Sequence, residues 1–411
     1  MKLLHVVPSY LPAWQHGGPI RSVHGLCRAL VARGHQVTVF TTDTDLRGQV
    51  PVSQPVDRDG VAVWYFQVRG PRRLYWSPDL RSALQRQVAT FDFVHLHSVF
   101  LWPTSAAASA ARHLGVPYFV APRGMLVSEL LRRRGTLRKS LWIRLVERQT
   151  LANAAALHVT SGLEGEEAQQ LAAEMGLELP PVVLLPNGVD EESDSEDAPL
   201  SASVADALTH QPLVLFLGRL SWKKGLDRLI AALPGAPQAT LAIAGGDEEG
   251  IRPQLEALAR EAKVADRVRF LGAVNGPDRM ALLHRAALVA LTSYSENFGN
   301  SALEAMAAGT PVVVTAEVGL ADEIRRSGAG LVAPGEAEAL GRAIGRLLAN
   351  PTVRRAMGQK GREAVARSYR WDRVAAATER AYLDVLARRR PNPATADASP
   401  SPADPEVAAR P

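Results

Sequence analysis

The chain has 411 residues, 46 % hydrophobic and 22 % charged. That is too long for one ordinary core and too apolar for general disorder, so two packed domains are expected. Its 47 Lys and Arg against 42 Asp and Glu leave a formal charge of +5, mild for this length and unevenly spread, which favours a local basic patch over a nucleic-acid-binding protein. No apolar run reaches the roughly 18 residues needed to cross a bilayer, Met1 to Val7 is too short for a signal peptide, and the lone Cys27 has no internal partner. A cytoplasmic protein is therefore expected.

In chain order, residues 3–7 read as a buried strand. Gly17-Gly18-Pro19 then precedes a helical pattern at Ile20, Val23, Leu26, Cys27, Leu30 and Val31, which Gly34 ends, and a strand follows over 36–41. This β-α-β opening puts a glycine turn at the carboxyl edge of a parallel sheet, where Gly17 and Gly18 either let backbone amides approach a phosphate or sugar, or simply form a loop. Asp43 and Asp45 have the form of a metal-holding pair but lack further ligand spacing, so no metal is assigned to them.

Strands are read at 61–66 and 93–97, the second with His95 and His97 on one face. His97 ends its strand, where it could make a structural hydrogen bond or reach the ligand cleft. A helix over 104–114 and a strand over 116–121 lead to Pro122-Arg123-Gly124-Met125. The basic segment from Arg132 to Arg148, interleaved with Leu137, Leu141, Trp142 and Leu145, suits either an anionic membrane surface or a solvated rim helix.

Strands at 157–160 and 182–185 and the turn Pro186-Asn187-Gly188-Val189-Asp190 close a first domain over 1–190. Residues 191–212 read as a linker, acidic, serine-rich and proline-marked. A second β-α pattern over 213–370 begins with a strand at 213–217 and the corner Gly218-Arg219-Leu220-Ser221-Trp222-Lys223-Lys224-Gly225. That corner aims two cations, Arg219 and Lys224, at one edge of the sheet. Further strands are read at 240–244, 268–271, 288–291 and 311–315.

In Ser293 to Gly309, Glu296 lies on a loop and Glu304 on a short helix that Gly309 ends. Between them, Gly299, Asn300 and Ser301 put unpaired amides at the helix start. This is either a capped helix with a solvated acid or an anion site flanked by two acids. A last helical stretch from about Val353 to Arg388 is expected to cross back to the first domain over 371–388, and 389–411 to be disordered.

The pattern Glu296-x7-Glu304, the corner GRLSWKKG at 218–225, PNGVD at 186–190, the GGP turn at 17–19 and strand-end His97 together resemble the retaining GT-B glycosyltransferases of family four, the glycosyl transferases group 1. The resemblance covers almost all of residues 1–388, with Asn297 standing where many members have glycine. It implies an α/β fold of two Rossmann-like domains facing each other across a cleft. Its carried-over roles are the donor diphosphate for Arg219 and Lys224, the distal phosphate for the amides of Gly299, Asn300 and Ser301, and the ribose for Glu304. Glu296 would sit at the sugar near the reacting carbon, His97 on the opposite wall, and Gly17 and Gly18 would close over sugar and phosphate.

The PRGM segment with its basic sequel resembles enzymes of bacterial surface polysaccharide assembly, which puts Arg123 on the acceptor side. The expected reaction is retaining transfer from a nucleotide-diphosphate sugar to a glycan or lipid-linked saccharide, with no metal or other cofactor. Membrane contact would be peripheral. Alternatives are a sugar-nucleotide epimerase of the same fold and a non-catalytic nucleotide-sugar-binding subunit. A phosphorylase would need a pyridoxal lysine, and a dinucleotide oxidoreductase a GxGxxG fingerprint; neither is found.

Overall fold

Runs that stay apolar on both faces suit strands buried inside a parallel sheet. The computed structural model describes residues 1–13, 18–70, 74–126, 146–190 and 199–389. The first domain holds β1 (Lys2–Val6), β2 (Gln36–Thr42), β3 (Pro55–Arg58), β4 (Val61–Phe66), β5 (Phe93–His97), β6 (Tyr118–Ala121), β7 (Ala156–Val159) and β8 (Val182–Leu184). They form an eight-stranded sheet in the order β3-β4-β2-β1-β5-β6-β7-β8, parallel throughout except where β3 meets β4. The second domain holds β9 (Leu213–Leu217), β10 (Thr240–Ala244), β11 (Val268–Gly272), β12 (Leu288–Leu291), β13 (Val312–Thr315) and β14 (Gly330–Ala333). Its six strands run parallel in the order β11-β10-β9-β12-β13-β14. The chain is thus two parallel-sheet α/β domains.

The sequence reading has no strand at β3 or at β14. β3 alternates exposed and half-buried residues at the sheet edge, too polar a stretch to stand out. β14 is four residues long and opens on Gly330, a residue that weakens a strand signal.

Period two divides the first core. Leu3 and Val7 pack on one face of the sheet, Leu4 and Val6 on the other. The first face is covered partly by the helix Trp371–Arg389, whose Val374, Ala375 and Tyr382 join that core.

The last helical stretch is two helices, Pro351–Ser368 and Trp371–Arg389, the second spanning the crossing back expected over 371–388, and residues 390–411 lie outside the described residues. The linker expectation changes too. Residues 191–198 lie outside the described residues, and Ala202–Thr209 is a helix whose Val204 and Leu208 belong to the second core; their apolar spacing outweighs the polar composition around them.

The two crossings between domains meet at one point. Val189 N donates to Tyr369 O at 2.8 Å, and Val189 bridges Arg370. Trp371 lies between Gly25 and Gly188, where an added Cβ would come within 2.3 Å and 2.5 Å of the indole, so only glycine allows that approach.

In the first sheet β1 neighbours both β2 and β5, and in the second β9 neighbours both β10 and β12. Strand order reverses at each, and the carboxyl ends of such strands form the crevice where these sheets take ligands. Here the two crevices share one cleft, lined from the first domain by Gly18, Arg123 and Asn187 and from the second by Arg219, Lys224 and Glu296. Among the described residues no helix is long and apolar enough to cross a membrane.

Candidate active site

On the second-domain wall, β9 runs into Gly218 and a short 3-10 turn, Trp222–Lys224, that Gly225 ends. The turn brings Lys224 beside the loop after β12, and Lys224 Nζ pairs with the Glu296 carboxylate, the two side chains 23 % and 16 % exposed. The Glu296 backbone is fixed on both sides, its amide donating to Glu317 O at 3.0 Å and its carbonyl accepting from Gly319 N at 2.9 Å. Arg219 is exposed on the cleft rim.

The helix Asn300–Ala308 then starts at Gly299, which has φ +101° and is capped by no side chain. Its first amides therefore face the cleft with the positive end of the helix behind them. Glu304 is on the same helix and pairs with Arg279 from the helix Gly276–Arg285. The sequence reading missed Arg279. Its only signal is a basic residue in the first turn of a helix, which spacing does not distinguish from a solvated one.

On the first-domain wall, Gly17 lies outside the described residues. Gly18 opens the helix Gly18–Ala32, and a Cβ built on it would lie 2.8 Å from Asn300 Nδ2, so the start of this helix abuts that of Asn300–Ala308 directly. Arg123 follows β6 in the left-handed region at φ +56°. Its Nη1 donates to Asn187 Oδ1 at 2.8 Å and its Nη2 to His97 Nδ1 at 3.2 Å. Asn187 Nδ2 in turn donates to Asn300 Oδ1 at 2.9 Å. The three sequence segments PRGM, PNGVD and GNS thus meet across the cleft through side-chain amides and a guanidinium.

His97 takes the structural-hydrogen-bond alternative and not the place beside the donor sugar that the resemblance implies. It does not line the cleft: Arg123 bonds its Nδ1, and the residue is 1 % exposed. It belongs to a stack of four histidines from three strands: His5 on β1, His95 and His97 on β5, and His158 on β7. His97 Nε2 bonds His5 Nδ1 at 3.0 Å, His158 Nδ1 bonds His95 Nε2 at 3.0 Å, His158 Nε2 bonds Leu185 O at 2.8 Å, and Tyr382 bonds His95 Nδ1 at 2.6 Å.

The ends of these chains fix the tautomers. Arg123 can only donate, so His97 accepts at Nδ1 and donates from Nε2 to His5. Leu185 O can only accept, so His158 donates from Nε2 and accepts at Nδ1 from His95, leaving His95 Nδ1 to accept the tyrosine hydroxyl. All four rings are neutral in this arrangement. Burial pushes His5 and His158 down to about 3, with Arg123 adding to the fall. Burial does the same to His95 and His97, which lie well below the usual histidine range. A ring held this way orients Arg123 and has no proton to exchange near neutral pH.

His5, His95 and His97 bring their nitrogens within 4.8 Å of one another, close enough to suggest a metal. The donor set does not fit one. The His97 and His95 nitrogens are engaged in hydrogen bonds, and the adjacent charge is the Arg123 guanidinium instead of a carboxylate. Asp43 is likewise occupied, its carboxylate taking the Val68 amide at 2.8 Å. One carboxyl missed by the sequence reading is Glu167, which lines the cleft and is raised to about 7 by burial and by Glu164, against the pull of Lys223.

Comparison with known proteins places this geometry. The model of the glycosyl transferase 4-like domain matches residues 17–188, and that of the glycosyl transferases group 1 matches residues 203–364. A D-inositol 3-phosphate glycosyltransferase of Xylanimonas cellulosilytica is 32 % identical over 400 residues, covering 91 % of this chain and 93 % of the relative. The chain belongs to the glycosyl transferases group 1.

Solved structures agree on the GT-B fold. Sucrose-phosphate synthase of Thermosynechococcus elongatus superposes with a TM-score of 0.73 at 24 % identity, over 94 % of this chain and 99 % of its own. HepE of Anabaena, solved with UDP and glucose, gives 0.70 at 18 % identity over 93 % and 100 %. In this glycosyltransferase the two charged corners of the second domain therefore face a first-domain wall on which Arg123 is held by hydrogen bonds to Asn187 and His97.

Proposed function

We propose that the enzyme moves a sugar, with retention at its anomeric carbon, from a nucleotide-diphosphate sugar to a glycan or lipid-linked saccharide, in the assembly of bacterial surface polysaccharide, and needs no metal to do so. The observation that carries this reading is the pairing of Lys224 with Glu296 beside the uncapped Gly299–Ser301 helix start, with Arg123 and Gly18 across the cleft. Departure of a nucleoside diphosphate concentrates negative charge on the leaving oxygen. Cations and helix-end amides already aimed there stabilise that charge without reorganising.

In this scheme Lys224 and Arg219 take the diphosphate, the Gly299, Asn300 and Ser301 amides take its distal phosphate, and Glu304, oriented by Arg279, takes the ribose hydroxyls. Glu296 holds sugar hydroxyls near the reacting carbon. Attack on the face the diphosphate leaves lets a departing phosphate oxygen receive the acceptor's proton, so retention needs no histidine base. That agrees with a His97 whose nitrogens are both engaged.

The name of the 32 %-identical relative favours a second acceptor class, a cyclitol phosphate, and Arg123, which makes no ion pair among the described residues, could meet an anionic group. The membrane reading rests on the basic segment, of which residues 127–145 lie outside the described residues. Cosedimentation with anionic vesicles tests it.

The experiment for the reaction is a screen of UDP-, GDP- and ADP-sugars for hydrolysis and for transfer to lipid-linked saccharide or to inositol phosphate. One donor is expected to react, and Glu296→Ala and Lys224→Ala to lose about 100-fold or more in rate. Wild-type rates in both variants would refute the assignment.

A further inference from the structure

Asn297, the neighbour of Glu296, reaches the other domain. Its Nδ2 donates to Thr160 Oγ1 at 2.9 Å, and its carbonyl oxygen accepts from Ser161 Oγ at 2.7 Å. Thr160 directly follows β7, and Ser161 caps the helix Gly162–Met175.

Glu164 sets the direction of these bonds. Its carboxylate, on a residue 2 % exposed, accepts from the Thr160 amide at 2.6 Å, the Thr160 hydroxyl at 2.8 Å and the Gly124 amide at 2.8 Å. A hydroxyl has one proton, and that of Thr160 goes to the carboxylate. The Thr160 oxygen is left to accept, which only the amide nitrogen of Asn297 can satisfy. Ser161 Oγ accepts from Glu164 N at 3.1 Å, so its own proton goes to the Asn297 carbonyl.

A buried carboxylate with three donors is a stiff anchor. It holds the Arg123 loop through Gly124 and the Glu296 loop through Thr160 at once. The two loops also touch, since a Cβ on Gly124 would lie 3.0 Å from Asn297 Cβ.

We propose that Asn297 is a positioning residue: the Glu164–Thr160–Asn297 staple sets Glu296 of one domain and Arg123 of the other against the same bound sugar. This rests on the transfer reading above. Nucleotide binding does not need the staple, because Lys224, Arg279, Glu304 and the Gly299–Ser301 amides belong to the second domain alone.

The test uses the full chain carrying Asn297→Ala, Thr160→Val, Thr160→Ser or the Asn297→Ala/Thr160→Val pair. Transfer kcat is measured beside calorimetric affinity for whichever of UDP, GDP and ADP gives the largest thermal shift. Asn297→Ala and Thr160→Val should each lower kcat about tenfold or more while the diphosphate Kd stays within about twofold. Thr160→Ser, which keeps the oxygen, should restore most of the rate. The pair should be no worse than the more damaging single change.

A kcat within about twofold of wild type in Asn297→Ala, a Kd rise matching the lost rate, or multiplicative losses in the pair would each overturn the proposal. Absence of transfer by the wild-type chain with every donor would instead strike the transfer reading, and the staple's role with it. Unchanged variants of an active enzyme strike the staple alone.

Discussion

The two walls of the cleft do related work by opposite means. The second-domain corner uses charge: Lys224 with Glu296 and Arg279 with Glu304, all partly exposed. Beneath Arg123 the first domain uses neutrality, with four fully buried histidines relaying hydrogen bonds from strand to strand. In the proposed reaction the charge of the second-domain corner meets the donor's diphosphate. Neutral, directional bonds to His97 and Asn187 hold the Arg123 guanidinium in place.

That contrast can be broken first through acidity. Histidines neutral in the fold and protonated in the unfolded chain make the unfolded state bind more protons below its own pKa, so stability is full above about 6.5 and lost as pH falls below it. Each fully buried ring contributes a slope of about 1.4 kcal/mol per pH unit there. The melting temperature should drop steeply between about pH 6.5 and 5. A flat profile over that range would mean that the rings are charged or exposed.

The second effect is on rate. His97→Leu leaves Arg123 Nη2 and His5 Nδ1 without partners, and kcat should fall about tenfold, the scale of one buried unmade hydrogen bond. His97→Gln, with an amide oxygen for Arg123 and an amide N–H for His5, should recover much of it. Equal losses in the two variants would indicate that the imidazole does chemistry, and would contradict a positioning role.

The smallest effect lies in Glu167, where the sign is reversed. Its folded pKa of about 7 stands above the ordinary 4.5, so the fold disfavours its ionised form, and the cost grows as pH rises from 4.5 to 7. Glu167→Gln should therefore raise the melting temperature at pH 8 and leave it unchanged at pH 4. Partial exposure makes the gain small.

The same contrast decides what could be read from sequence. Part of the charged corner is local: Glu296, Gly299 to Ser301 and Glu304 lie within nine residues, so helix-start chemistry and spacing reveal them, whereas Arg279 pairs with Glu304 from 25 positions away and carries no such signal. The histidine floor is assembled by register. His5 pairs with His95 because β1 runs beside β5, and His158 comes from β7, so residues 63 and 92 positions apart bond each other with no sequence period to announce it.

His97 shows the limit most clearly. Its place at a strand end was legible, but the left-handed Arg123 that bonds it was not. The Thr160–Asn297 contact spans 137 positions and is invisible for the same reason. The two-sheet architecture was legible because parallel strands leave long apolar runs. β3 escaped because an edge strand is polar, and the helix Ala202–Thr209 because it lies inside an otherwise polar stretch.

The most direct measurement is the initial rate of sugar transfer from the best nucleotide-sugar donor by the wild-type enzyme and by Lys224→Ala, with melting temperatures recorded in parallel. The charged-corner account predicts a loss of about 100-fold or more with the fold intact. Equal rates would contradict it.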